Sequence, residues 1–457
     1  MAPSVPNTRS GLFVVALCFM TIVADGFDLI VYGATVPSLL DEPGWEMSHG
    51  SAGLIGTWTL AGLMVGFLLA GPITDRIGRR NVMMVGVLWF SAGSAACALA
   101  QSPEFFGFAR FLTGIGLGGV VPSAVALTIE FAPKGRRQLY NGLMLTGYSV
   151  GGIISALAAI ALLPEHSWRL MYTIAALYVV VLPVMYLRLP ESVNYFVVQG
   201  RTSEARALAD QYRLDFDAMA AEHAEQAAAA SEETEGRRGY RLLLSHRFRM
   251  SAILFVLTGF CAQLIVYGLN TWLPQLMREA GYPLGSSLQF LLVLQVGAII
   301  GAVGGSLLAD RFGSKRVVIP FFLVGALSLL VLSQKLDIVF LMVAVAGAGL
   351  GTIGTSTLTY GYVAEHFPAS CRGSAVGAVM GLARFGAILG PLLGGWILGS
   401  NIGHEWNFYA FALPALIAAV FVALVPKIMT PAGPTPPFAG AASPSPAPAT
   451  TGEDTPN

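Results

Sequence analysis

Two aspartates lie within a long apolar segment near the start of the chain. Asp25 and Asp28 belong to a predicted membrane span, 12–39, where each acid should cost about 2.5–3.5 kcal/mol at the bilayer centre. A spacing of three residues places both side chains on one face of a helix. Because paired carboxyls in a low dielectric are suited to taking up and releasing a proton, we predict that Asp25 and Asp28 carry one. The alternative is that either acid only bonds the backbone or a neighbouring helix.

Two arginines also fall inside predicted spans. Arg384 lies near the middle of span 372–399, and a guanidinium there can hold a carboxylate through two parallel hydrogen bonds. We therefore predict that Arg384 binds an organic anion, the alternative being a pair with a polar group of the first or seventh span. Arg110 lies in the outer part of span 104–129. It is predicted to pair with an aspartate of the first span and to take part in proton coupling.

Aromatic and amide side chains on several spans could complete a pocket for a planar ring beside these charges. A single aromatic residue in a membrane helix more often packs or faces lipid, and a single amide can equally bridge two helices. The predicted ring-facing residues are Tyr32, Trp58, Tyr148 and Tyr267, with Phe260 as a further wall. The predicted hydrogen-bonding amides are Gln263 and Asn270, with Gln295 and Asn141 as further candidates.

The composition indicates a protein embedded in a membrane. Hydrophobic residues make up 55% of the chain and charged residues 11%, against about 25% charged residues in an ordinary soluble domain. The formal net charge of zero gives no indication of nucleic-acid binding. Four single cysteines are spaced neither for disulfides nor for metal ligands, and the sequence shows no nucleophile triad, phosphate loop or nucleotide motif. We therefore predict a membrane protein that is not an enzyme and needs no metal or cofactor.

Twelve apolar segments are long enough to cross a bilayer, which needs about 20 helical residues. The predicted spans are 12–39, 49–72, 81–101, 104–129, 139–163, 168–189, 250–277, 286–309, 316–334, 337–363, 372–399 and 405–426. The chain then divides into an N-terminal extension 1–11, a six-span bundle 12–189, a polar central loop 190–249, a second six-span bundle 250–426 and a tail 427–457. In the loop, 203–235 is predicted to form exposed helix, and the tail is predicted to be disordered.

The positive charges predict which way the chain crosses the membrane. Most of the 26 lysines and arginines fall in segments on the same side as the N-terminus. The opposite loops hold only Arg169, Arg278 and Lys335. Because cytoplasmic loops carry the excess of positive charge, both termini are predicted to be cytoplasmic.

The two halves of the chain repeat one another. Tyr32-Gly33 recurs as Tyr267-Gly268, a shift of 235 residues that also relates Asp75-Arg76 to Asp310-Arg311. Gly62, Gly66, Gly114 and Glu130 find their counterparts at the same shift. Since each half has six spans, the repeats run parallel, with a binding site expected between them at mid-membrane. The predicted fold is an all-α membrane protein of twelve helices in two six-helix parallel repeats.

Charged motifs cluster at the predicted cytoplasmic ends of the spans. The turn after the second span reads GPITDRIGRR from Gly71 to Arg80, and a weaker copy follows the eighth span. These turns, together with Arg110 and the glycines that follow it, resemble the signatures of the major facilitator superfamily. The resemblance implies transport by alternating access. The predicted gating residues, expected to form cytoplasmic salt bridges that can cross between the halves, are Asp75, Arg76, Arg79, Arg80, Glu130, Arg137, Asp310, Arg311 and Glu365.

A narrower resemblance involves the first and seventh spans. The DGFD stretch from Asp25 to Asp28, followed by Tyr32-Gly33, and the YGLNTWLP stretch from Tyr267 are similar to the aromatic acid:proton symporter family. Phe27 stands where many members have tyrosine. The resemblance implies a protein of the bacterial inner membrane that imports benzoate-like acids together with protons, as a monomer in the lipid bilayer.

Other functions remain open at this point. The same fold could carry dicarboxylates, sugars or osmolytes, or export drugs. A membrane receptor that senses aromatic acids and signals through the loop 190–249 is a different class, although that loop is short and simple for a signalling domain. Uptake by the purified protein in liposomes would separate a transporter from a sensor.

Overall fold

The computed structural model describes residues 11–133, 136–217, 219, 241–334, 336–400 and 402–426. The predicted tail 427–457, nearly all of the extension 1–11 and most of the predicted loop helix 203–235 lie outside these residues. The described part of that loop contains two short helices, Val193–Val198 and Thr202–Tyr212. Tyr212 packs its ring edge-on against Phe131, so the second of these helices rests on the first bundle.

Twelve helices of the described chain are long and apolar enough to cross a membrane, which confirms the predicted number of spans. In chain order they are α1 Gly11–Leu40, α2 His49–Ile77, α3 Arg79–Ala98, α4 Pro103–Phe131, α5 Leu139–Leu162, α6 Arg169–Arg188, α7 Arg249–Glu279, α8 Leu284–Phe312, α9 Ser314–Leu332, α10 Ile338–His366, α11 Cys371–Gly399 and α12 Glu405–Leu424. Successive helices run in opposite directions, and all connections are short except the loop between α6 and α7. The starts of odd helices and the ends of even helices therefore share one end of the bundle, here called the terminal end, and the other is the distal end.

Helices α2 and α8 continue beyond their predicted bounds. The sequence predicts ends at 72 and 309, but the helices run on to Ile77 and Phe312. Polar residues end the apolar run without interrupting helical hydrogen bonding, so hydropathy places the end too early. The actual stops are Gly78 and Gly313, whose φ values of 90° and 88° lie in the left-handed region that favours glycine.

The internal repeat is visible in how closely equivalent helices pack. A Cβ atom on Gly62 of α2 would lie 2.0 Å from the carbonyl oxygen of Phe111 in α4. A Cβ atom on Gly297 of α8 would lie 2.2 Å from the carbonyl oxygen of Ala346 in α10. Gly297 follows Gly62 by 235 positions, and Ala346 follows Phe111 by the same number. The same backbone contact is therefore built twice, as the repeat predicts.

The two halves meet at the distal end and separate toward the terminal end. Near the distal end, a Cβ atom on Gly53 of α2 would lie 2.8 Å from the carbonyl oxygen of Pro391 in α11. Nearer the terminal end, a Cβ atom on Gly71 of α2 or on Gly373 or Gly377 of α11 would have no neighbour within 4 Å. A cleft between α2 and α11 therefore opens at the terminal end.

Candidate substrate and proton site

Asp28 and Arg110 form a buried ion pair within the first bundle. The Arg110 Nη1 atom donates to Asp28 Oδ2 at 2.7 Å, and the Nη2 atom donates to the Asp28 carbonyl oxygen at 3.1 Å. Ser94 donates to the other carboxylate oxygen at 3.2 Å, and Arg110 Nε donates to Thr59 Oγ1 at 3.1 Å. Both charged side chains are inaccessible to solvent, at 0% and 1% exposure. Arg110 thus pairs with an aspartate of the first span, as predicted.

Aromatic rings cover this ion pair. The Arg110 guanidinium lies 5.8 Å from the ring centre of Tyr32 and 5.7 Å from that of Tyr172. Phe106 stacks on the Tyr32 ring and meets the Tyr172 ring edge-on. The Tyr32 hydroxyl donates to the carbonyl oxygen of Ala52 in α2. Tyr32 therefore belongs to the packed core of the first bundle rather than to the wall of the cleft.

Asp25 has a different environment from Asp28. Its side chain is 4% exposed, and its Oδ1 atom has no hydrogen-bond partner among the described residues. It lies close enough to Asp28 to be repelled and to Arg384 to be attracted. A buried polar atom without a hydrogen-bond partner is unfavourable, so this carboxyl is suited to binding a proton or another ligand.

Arg384 lies opposite Asp25, in the second bundle near the middle of α11. Its side chain is half-buried, and its Nη1 atom donates to the hydroxyl of Tyr267 at 3.4 Å, a long hydrogen bond. The guanidinium carbon lies 6.0 Å from the ring centre of Phe67 in α2, across the interface between the halves. Most of the guanidinium donors are therefore free of close acceptors among the described residues, as an anion site requires.

Three tyrosines from different helices face this group. The Tyr148 hydroxyl of α5 is buried beside Tyr267 and makes no hydrogen bond of ordinary geometry to a described residue. Tyr360 of α10 lies within electrostatic range of both Arg384 and Tyr267. Tyr360 was not among the residues predicted from the sequence. Its signal was weak, because a lone tyrosine in an apolar span usually packs.

The other predicted pocket residues are distributed differently. Gln263 accepts a hydrogen bond from Ser356 at 3.1 Å, one turn of α7 before Tyr267, which keeps it on the same helix face. Asn270 is engaged by Gln295, whose Nε2 atom donates to it at 2.6 Å, so this amide joins α7 to α8. Trp58 is 37% exposed and lies beside Gly107 of α4. The described contacts do not bring Trp58 to Arg384.

Four of the predicted gating residues at the terminal end, Arg79, Arg80, Glu130 and Glu365, make contacts within their own halves. Arg79 pairs with Glu130, which also accepts a hydrogen bond from Ser192 at 2.6 Å. Glu365 accepts a hydrogen bond from the Ser314 hydroxyl within the second bundle. Within this predicted set, Asp75, Arg76, Asp310 and Arg311 are exposed, and Arg80 and Arg137 are half-buried. Arg80 donates a hydrogen bond to the Tyr186 carbonyl oxygen at 2.5 Å. The cross-interface pairing stays a prediction for a state in which this end is closed.

Removing one partner of the Asp28–Arg110 pair should destabilise the protein strongly. Asp28→Asn leaves a buried guanidinium uncompensated, a change that typically costs about 3–5 kcal/mol. Thermal unfolding of the purified protein should show a clearly lowered transition. Asp25→Asn is the matched control, because Oδ1 of Asp25 has no partner to lose, and it should unfold near the wild-type temperature. Equal destabilisation by both variants would contradict the structural role of Asp28.

Comparison with known proteins agrees with this architecture. A family model described as Major Facilitator Superfamily matches residues 17–308 and 296–452. The benzoate transport protein of Acinetobacter baylyi is 34% identical over 423 residues, covering 90% of this chain and 89% of that protein. The gentisate transporter of Corynebacterium glutamicum is 33% identical over 421 residues, covering 91% and 88%.

A solved structure shares the fold. The xylose transporter XylE from E. coli, in a partially occluded inward open conformation, superposes with a TM-score of 0.69 at 18% identity, covering 92% of this chain and 98% of that chain. The twelve helices, their repeat and the family match lead to one conclusion. The chain belongs to the major facilitator superfamily, and it is a membrane transporter rather than an enzyme.

Proposed function

We propose that this transporter imports aromatic carboxylic acids, such as benzoate or a hydroxybenzoate, together with protons across the bacterial inner membrane. The observation that carries the proposal is the buried Asp25 carboxyl, whose Oδ1 atom has no partner among the described residues and which lies within electrostatic range of Arg384 in the other half. The relatives named for benzoate and gentisate transport support the substrate class. Tyr148, Tyr267 and Tyr360 would supply ring faces and hydroxyl groups around the bound acid.

Competition for Arg384 would couple the two ligands. A charged Asp25 attracts the guanidinium, so a substrate carboxylate must compete with it for the same cation. Once Asp25 takes up a proton, Arg384 is free to hold the substrate anion with its parallel donors. Anion binding is therefore strongest when the proton is already bound, which makes the two ligands travel together.

The direction follows from the proposed orientation. If the terminal end faces the cytoplasm, as the distribution of lysine and arginine predicts, the open cleft is an inward-facing state. The proton and the acid would bind from the outside in the opposite state and leave into the cytoplasm after the halves rock. Carrying an anion inward against 100 mV costs about 2.3 kcal/mol, and one accompanying proton cancels that cost.

Uptake into proteoliposomes tests the proposal. Purified protein should take up labelled benzoate or 4-hydroxybenzoate faster than protein-free liposomes do when the outside is made acidic, and a protonophore should abolish this protein-dependent uptake. A sugar such as xylose serves as the control cargo and should not be taken up. Accumulation that persists in the presence of the protonophore would refute proton coupling. The absence of uptake for every aromatic acid would refute the substrate class.

A further inference from the structure

Two ion pairs join the halves at the distal end of the bundle. Arg278 of α7 donates from Nη2 to Asp41, just after α1, and from Nη1 to the carbonyl oxygen of Pro37 at 3.0 Å. One residue further on, Glu279 lies 3.5 Å from the Nε2 atom of His49, the first residue of α2. Both pairs therefore connect the second bundle to the first.

The surroundings of these pairs show that they belong to a tightly closed contact. A Cβ atom on Gly395 of α11 would lie 2.6 Å from the His49 carbonyl oxygen. The His49 ring lies 6.3 Å from that of Trp272 in α7. Glu279 also accepts a hydrogen bond from Gln275 at 2.8 Å, which orients its carboxylate. The start of α2 thus contacts two helices of the second bundle.

Water reaches both pairs through a cavity of about 380 Å³. Its described titratable lining residues are Asp41, His49, Arg278 and Glu279. The side chains are partly exposed, from 31% for His49 to 61% for Asp41. Solvent-exposed ion pairs are individually weak, so these can break during each cycle.

We propose that Asp41–Arg278 and His49–Glu279 form a distal latch that must open whenever the cleft opens at this end. Alternating access requires α1 and α2 to move away from α7 and α11 here, which separates both pairs. The Asp41–Arg278 pair and the His49–Glu279 pair each add a contact across the same interface. The latch goes beyond the proposed substrate and does not depend on it.

A cysteine reporter inside the closed contact can measure opening. Thr57 of α2 is buried and donates to the carbonyl oxygen of Ile388 in α11 at 3.0 Å, across the interface. Thr57→Cys should react with a maleimide only when the distal end opens. The four native cysteines are buried, so background labelling should be low and is subtracted with protein lacking the reporter. Labelling of purified protein in detergent removes any dependence on orientation.

The latch predicts how the labelling rate changes. Asp41→Asn and Arg278→Gln should each raise it about two- to fivefold, the size expected for one exposed ion pair. The double variant should label no faster than either single variant, since both remove the same pair. His49→Gln should also raise the rate, compared with the parent reporter under the same conditions, because it removes the contact to Glu279.

Arg169→Gln is the matched control. Arg169 pairs with Glu42 at the same end of the bundle, but both residues belong to the first half. This variant should leave the labelling rate unchanged. The latch is refuted if the Asp41 and Arg278 variants label like the parent, or if Arg169→Gln accelerates labelling equally. An unchanged labelling rate in His49→Gln refutes the part of the latch assigned to the His49–Glu279 pair.

Discussion

Asp25→Asn is expected to abolish concentrative uptake while leaving substrate exchange across the membrane intact. Asparagine resembles a permanently protonated aspartate, so Arg384 stays available to the anion while proton movement is lost. With one proton per monoanion, an imposed gradient of one pH unit drives accumulation up to about tenfold. The variant should stop at equal concentrations inside and outside. Uptake and counterflow of labelled benzoate in the same proteoliposomes, each corrected for the passive flux into protein-free liposomes, measure both properties.

Asp25→Glu is the matched control for this experiment. It keeps a titratable carboxyl at the same position, and some accumulation driven by the pH gradient should remain. Concentrative uptake by Asp25→Asn would show that the proton is carried elsewhere. Loss of counterflow in the asparagine variant would show that Asp25 acts in substrate binding instead.

Arg384→Gln is expected to weaken substrate binding most strongly. Losing a buried charged partner of a carboxylate typically costs about 2–5 kcal/mol, or roughly 30- to several thousandfold in Kd. Arg384→Lys keeps the charge but loses the planar pair of donors, so its loss should be smaller but still clear. Equilibrium binding of labelled benzoate to the purified protein measures both changes directly.

An exposed arginine provides the control for the binding experiment. Arg316 lies at the start of α9 and is exposed, so Arg316→Gln should bind benzoate with unchanged affinity. Normal affinity in Arg384→Gln would refute its role as the anion ligand. A loss of the same size in Arg384→Lys and Arg384→Gln would show that geometry, rather than charge alone, decides the binding.

Much of the architecture could be predicted because its signals are local. Apolar runs of bilayer length gave all twelve spans, and a constant shift of 235 residues gave the repeat that Gly62 and Gly297 later show in their contacts. Helix ends were harder, since α2 ends at Gly78 through backbone conformation rather than through polarity. The pairing of Arg110 with an aspartate of α1 was predictable because few cations occur in the spans.

The pocket was only partly predictable because its walls come from distant parts of the chain. Tyr360 was missed. Tyr32 donates a hydrogen bond to Ala52 and Asn270 accepts one from Gln295, so both of these predicted pocket residues make contacts within the protein. An aromatic or amide side chain in an apolar span has the same local sequence whether it packs, bridges helices or lines a cavity. Only the arrangement of neighbouring helices distinguishes these cases.

The sequence by itself determined that two acids share one region of α1 and that Arg384 stands in the opposite half. Only the tertiary structure separated the roles of the two acids. Positions three residues apart on a helix differ by about 60° in direction, which is enough to meet different neighbours. Asp28 meets Arg110 and Ser94 inside the first bundle, whereas Asp25 lies within electrostatic range of Arg384 and its Oδ1 atom has no hydrogen-bond partner among the described residues. Which neighbours they meet depends on the packing of helices far apart in sequence, and no local pattern encodes that.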